Sequence, residues 1–274
     1  MLASLFARTA APPIGLAALT GAVPLGAPPR DELVPAAGLA AMPSAEVGLD
    51  GDRIAIWIAC AAADGALDGL RESLTHADLA EINRVRHEAT RAHMATARAQ
   101  LRIALTHAVS GRIPAHAWRF ERAASGQLSV HPDLPRLRFS VSHTDGLAAV
   151  AVSRHRPVGI DIEAEHGAMD GAFLKAFLSR REWKAMRRLP EAERARAAIH
   201  RWTLKEAYAK LLGIGLAADL TGFEFHLDPA RLMSHCEAAD AGRGTRFWTW
   251  PVPGPRGSCH LALAVGQPTA RQVH

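Results

Sequence analysis

The sequence predicts an α+β fold of small antiparallel sheets and helices. Three observations predict it. Short β-prone runs are separated by turn residues, two stretches carry apolar residues at spacings of three and four, and the same helix-then-strands order occurs in each half of the chain.

The elements follow in order. Residues 1–52 are rich in Ala, Pro and Gly and show neither period, which predicts a disordered arm. Within it, residues 10–28 are apolar behind Arg8 but are broken by Pro12, Pro13 and Pro24, so an extension fits better than a secretion signal. Order begins with a strand at Arg53-Ile-Ala-Ile-Trp-Ile58. From about Thr75, Leu79, Ile82, Val85, Met94, Ala97, Leu101 and Leu105 keep a helical period beside Arg91, Arg98 and Arg102. This is one long helix or a helix pair, ended by Gly111 and Pro114. Strands follow at 118–122, 138–142 and 147–152, the last two joined by a hairpin turn at Asp145-Gly146. Val158-Gly-Ile-Asp-Ile-Glu163 is a further strand. Helical patterns then cover about 171–189 and 191–213, and strands about 222–226, 245–250 and 260–265. The division is an N-terminal subdomain over 53–155, a C-terminal subdomain over 156–268 and a frayed tail over 269–274.

Composition bounds the function. A net charge of +5 and a pI near 9.6 suit an anionic partner. The three cysteines, Cys60, Cys236 and Cys259, form no CxxC pair and have no zinc-like histidine spacing, so they read as free thiols of a cytoplasmic protein. No run is long and apolar enough for a membrane span.

Three segments carry candidate chemistry. On the strand 158–163, Val158, Ile160 and Ile162 share one face, and Asp161 and Glu163 share the other. Taken alone, that pair also fits a strand with one solvated face. On the helix before Gly213, Trp202, Glu206 and Lys210 fall on one stripe, with Lys205 at its edge. Alone, Glu206 and Lys210 also fit a surface ion pair. Ser142 and His143 end a strand where they can donate to an anion. Together, Asp161, Glu163 and Glu206 form an all-oxygen set suited to Mg²⁺, with Lys210 one turn away to neutralise phosphoryl charge.

At these residues the sequence resembles the Sfp-type 4′-phosphopantetheinyl transferases. The matching segments are Val158-Gly-Ile-Asp161, Glu163, Trp202-Thr-Leu-Lys205-Glu206-Ala-Tyr-Ala-Lys210, Ser142-His143 and the arginine-rich helix through Arg91, and the likeness runs over about 53–266. The family's Gly-Lys-Pro segment is replaced by Ser125-Gly126-Gln127-Leu128. The resemblance implies two similar helix-plus-sheet subdomains in a pseudo-twofold arrangement, with the active site in the cleft between them. It implies transfer of the phosphopantetheine arm of coenzyme A to a serine of an acyl or peptidyl carrier protein by a monomer, with no nucleic-acid or membrane partner. Asp161, Glu163 and Glu206 would hold Mg²⁺. Glu206, Lys210 and His143 would be catalytic, and Arg84, Arg91, Gly126, Gln127, Ser142, His143, Lys205 and Lys210 would bind coenzyme A. Read from the residues alone, the same carboxylates also fit another Mg²⁺-dependent phosphate-ester or nucleotidyl enzyme, and the basic charge fits a nucleic-acid-binding protein.

Overall fold

The computed structural model describes residues 40, 42–60, 70–144, 146–165, 170–214, 219–227, 230–234 and 244–268. The described residues form a mixed α+β structure built on two antiparallel sheets. The first has the strand order β1 (Ala45–Leu49), β2 (Asp52–Cys60), β6 (Leu147–Ser153), β5 (Arg138–Thr144). The second has the order β10 (Arg246–Gly254), β11 (Gly257–Val265), β7 (Val158–Ala164). Two-stranded ribbons are made by β3 (Phe120–Arg122) with β4 (Leu128–Val130), and by β8 (Glu224–Leu227) with β9 (Ala230–Ser234).

Alternation along the strands sorts the core. Ile54, Ile56 and Ile58 of β2, Ala149 and Ala151 of β6, Ile160 and Ile162 of β7, and Leu261 and Leu263 of β11 share one cluster, so the two sheets bury their inner faces against each other. Trp57, Val150 and Val152 point the other way, onto Leu101 and Leu105 of α2 (Glu88–Ala108). Ala262 and Ala264 meet Leu204, Ala207 and Tyr208 of α5 (Glu191–Leu212) on the outer face of the second sheet. The long helices are therefore the outer layers.

Local signals set the helix ends. Before α2 comes α1 (His76–Asn83), opened by a capping box in which Thr75 and Asp78 satisfy each other's backbone N–H groups. The sequence therefore makes a helix pair at this point. The single helical stretch expected over 171–189 is two short helices, α3 (Gly171–Phe177) and α4 (Arg180–Met186). The break is at Ser179, which forms a capping box with Glu182 and starts a new helix. Helix α5 ends in Gly213, whose φ of +69° suits a left-handed cap.

The disordered arm expected over 1–52 is too long. Residues 45–49 are strand β1, with Ala45, Val47 and Leu49 in the shared core. Asp50 and Gly51 have φ of +49° and +84° and turn the chain into β2. Arg156, buried at the far end of β6, donates to Asp50 at 3.0 Å, Asp52 at 3.1 Å and the carbonyl of Gly266 at 3.3 Å, which ties the turn down. Residues 1–39, Asp145, Cys236 and 269–274, which also carried expectations, lie outside the described residues. Cys60 is a free thiol, and no described helix is long and apolar enough to cross a membrane.

Candidate active site

Strand β7 lies where three elements meet. Its inner side chains enter the core, and its outer face meets α5 at Gly159. A Cβ at that position would stand 1.9 Å from the carbonyl oxygen of Ala207 and 2.6 Å from the amide nitrogen of Leu211. The missing side chain lets helix and strand backbones touch. The outer side chains that follow, Asp161 and Glu163, are then aimed at the α5 stripe.

That stripe meets them. Trp202 donates its Nε1–H to Glu163 Oε1 at 3.0 Å, and Lys210 Nζ donates to Asp161 Oδ1 at 2.7 Å. Glu206, between them on the helix, is buried. From the other side β5 offers hydroxyls: Ser142 donates to Asp161 Oδ1 at 2.7 Å and Thr144 to Glu163 Oε2 at 3.4 Å. His143 points to the opposite face of β5, where its ring lies 6.4 Å from that of His93 on α2. His93 Nε2 accepts from the Gly146 amide at 3.0 Å.

The electrostatics are those of crowded acids. Burial first, then the charges of Asp161 and Glu163, raise the Glu206 carboxyl to about 7, although Lys210 opposes them. Burial and Asp161 also raise Glu163, against its hydrogen bond from Trp202. Burial, then Lys210 and His93, lower His143, which favours its neutral imidazole.

Two of the three carboxylates have an oxygen to offer a hard cation. Among the described residues no group of three or more His, Cys, Asp or Glu side chains is placed to hold a metal ion by itself. A closed cage is not what Mg²⁺ uses for phosphate chemistry, because it keeps waters and phosphate oxygens beside one or two carboxylates. Asp161 Oδ2 and Glu206 Oε1 are buried with no hydrogen-bond partner, so each offers an unshared anionic oxygen.

The remaining expected residues divide. Lys205 is corrected: it is fully buried and donates to Phe177 O at 2.6 Å, Glu182 Oε2 at 2.5 Å and Leu220 O at 3.0 Å. All three N–H donors are engaged inside the protein, so it does not reach coenzyme A. Ser142 uses its hydroxyl proton on Asp161. Gln127 donates to Lys210 O at 3.2 Å, and it fits against Gly213 because no Cβ is there. Gly126 is exposed in the β3–β4 turn with φ of +86°. Arg84 caps α1 and is exposed, and Arg91 donates to Val85 O and Arg86 O, bracing the α1–α2 turn. Three contributors were not singled out in the sequence: Thr144, His93 and Gly159 as a spacer. Only the period-two placement of Thr144 with Ser142 and Ser140 on β5 was there to find.

Residues 157–250, which hold β7, α5 and most of this site, match the family model described as the 4′-phosphopantetheinyl transferase superfamily. Over this part, about a third of its length, the chain is similar to that superfamily. Among relatives in the superfamily, 4′-phosphopantetheinyl transferase HetI of Nostoc sp. is 37% identical over 94 residues, covering 34% of this chain and 39% of HetI. The L-aminoadipate-semialdehyde dehydrogenase-phosphopantetheinyl transferase of Homo sapiens is 30% identical over 131 residues, 44% of this chain and 42% of its own. The 4′-phosphopantetheinyl transferase Sfp of Bacillus subtilis is 31% identical over 96 residues, 35% of this chain and 42% of its own. The chain thus spans about two fifths of the length of the relatives it matches. The crystal structure of Thermotoga maritima holo-[acyl-carrier-protein] synthase overlaps at a TM-score of 0.33 and 24% identity, over 41% of this chain and 64% of that one.

Proposed function

We propose that this chain is a Mg²⁺-dependent 4′-phosphopantetheinyl transferase, moving the phosphopantetheine arm of coenzyme A to a serine of an acyl or peptidyl carrier protein. The observation that carries the reading is the meeting of Lys210 with Asp161 beside the buried Glu206, whose carboxyl is raised to about 7. Asp161, Glu163 and Glu206 would hold Mg²⁺, which when bound draws charge from the pyrophosphate oxygens of coenzyme A.

The chain's own residues then have defined tasks. The serine Oγ of the carrier attacks the β-phosphorus, the bond to adenosine 3′,5′-bisphosphate breaks, and that product leaves with its electron pair. The serine proton passes to Glu206, the carboxylate that stands on α5 between Trp202 and Lys210. Lys210 follows the phosphoryl charge as it grows. Neutral His143 donates a hydrogen bond to a phosphate oxygen, as an imidazole need not be charged to do. Arg84, Arg91, Gly126 and Gln127 would bind the nucleotide end, without the lysine the family often has there.

Two related subdomains, meeting near residue 156, accord with a long helix on the outer face of each sheet. The first of them begins at β1. A pseudo-twofold relation between them would put the cleft at β5, β7 and the end of α5. A monomer working in the cytoplasm suffices, since the proposed ligands all come from one chain. The test is incubation with coenzyme A, Mg²⁺ and a panel of apo carriers, read by intact-protein mass. Addition of the phosphopantetheine mass to a carrier serine supports the reading; no addition to any member of a fatty-acid, polyketide and peptide-synthetase panel overturns it.

A further inference from the structure

We infer that Lys205 is a positioning residue that pegs α5 in the register its catalytic stripe needs, an inference that rests on the transferase reading above. The peg has unusual connections. Its ammonium, fully buried, bonds the last residue of α3 (Phe177 O), α4 (Glu182 Oε2) and the turn before β8 (Leu220 O). Glu182 in turn accepts from Ser179 N and from Phe225 N of β8, both at 3.0 Å. The adjoining Ser179 hydroxyl donates to Glu224 Oε1 at 2.7 Å. One side chain of α5 is thereby fixed against three pieces of chain, and through Glu182 against β8 as well.

Stability alone does not account for this arrangement. A buried ion pair is frequently no more stabilising than apolar side chains of the same size, and its attested use is to select one register. The geometry says which register. At 3.6 residues per turn, Lys205 and Ala207 project roughly 200° apart around the helix. Ala207 is where α5 rests its backbone on Gly159. The helix is thus held from opposite sides, by a backbone contact at the strand and by a fixed ammonium behind it. Glu206 lies between those two points in sequence, and Trp202 and Lys210 lie one turn to either side of it. An apolar residue at 205 would fill the space and still let the helix slide or roll.

The experiment separates the peg from the fold. Lys205→Met combined with Glu182→Gln removes both buried charges while keeping their bulk. This variant is expected to melt near the parent, to lose turnover by about tenfold or more from small misplacement of the reacting groups, and to keep its KM for coenzyme A within about twofold. Its affinity for Mn²⁺, measured by electron paramagnetic resonance without carrier or coenzyme A, should fall as well. A double variant that melts near the parent and binds Mn²⁺ as the parent does overturns the inference. Should the double variant melt well below the parent, Lys205→Arg, which retains the charge but not the reach, decides on the same two readings: reduced Mn²⁺ affinity and kcat support the peg, parental values overturn it. If the parent transfers nothing to any carrier, the functional reading fails, while the Mn²⁺ comparison still scores the peg.

Discussion

Lys210 holds one oxygen of Asp161 at 2.7 Å, and the other oxygen of that buried carboxylate has no partner. One ammonium therefore faces three acids: Asp161, Glu163 and Glu206. Lys210→Ala should cut turnover about a hundredfold, as for loss of a donor to developing charge. A mere surface pair predicts no such loss, and unchanged turnover would return Lys210 to that role. The metal-free variant should also melt below the parent, because the acids lose their cation, and added Mg²⁺ should raise its Tm by more than it raises the parent's.

Gly159→Ala tests the helix–strand contact. The three nearest atoms that the new methyl meets, Ala207 O, Leu211 N and Ala207 C, are backbone and cannot rotate away. Overpacking of this kind costs about 1–3 kcal/mol, and α5 must move off β7. Chemical denaturation should register the cost and turnover should fall with it. A variant with parental stability would mean that the helix is free to yield.

Asp50→Ala with Asp52→Ala removes both carboxylates from buried Arg156. An uncompensated buried charge should lower stability by roughly 3–5 kcal/mol in urea unfolding. Deletion of residues 1–51 should be at least as damaging, since it also removes Val47 and Leu49 from the core. A deletion mutant as stable as the parent would show that β1 adds nothing.

His200 gives the pH dependence. Its ring stacks on His260 at 4.9 Å, and burial first, then the charges of His260, Arg201 and Arg196, pull its pKa to about 3. Glu165, 2.7 Å from His260 Nε2 and 3.5 Å from Arg196, is the acid of this cluster. The unfolded chain takes up a proton at His200 below the ordinary value near 6.5, and the folded chain does not until about 3. The stability His200 contributes is complete above about 6.5 and is lost as pH falls through that window, with a slope of up to about 1.4 kcal/mol per unit. His200→Phe keeps the stack and removes the titration. Its Tm should drop less than the parent's between pH 7.5 and pH 5.5, and an equal drop would acquit His200.

How legible all this was depended on which residues spoke through period. Alternation on β7 separated Ile160 and Ile162 from Asp161 and Glu163, and spacing on α5 aligned Trp202, Glu206 and Lys210, because each rule concerns one element's own geometry. Lys205 was misread because neighbouring lysines on a helix look alike until the packing of α3, α4 and β8 around one of them is known. His93 was passed over because its relation to His143 joins a helix to a distant hairpin. Strand β1 could have been found: Ala45, Val47 and Leu49 alternate ahead of Asp50-Gly51, but they follow a long stretch rich in alanine and proline.

The strand β5 borders β7 without belonging to its sheet. Ser140 accepts from Ile160 N at 3.0 Å, and Ser142 and Thr144 reach Asp161 and Glu163. Three small hydroxyls stand where a backbone ladder would otherwise run. Hydroxyls rotate and exchange partners at little cost, whereas a ladder breaks all at once. The line between the sheets therefore works as a bearing rather than a weld. Its two sides can shift by fractions of an ångström while each sheet stays intact.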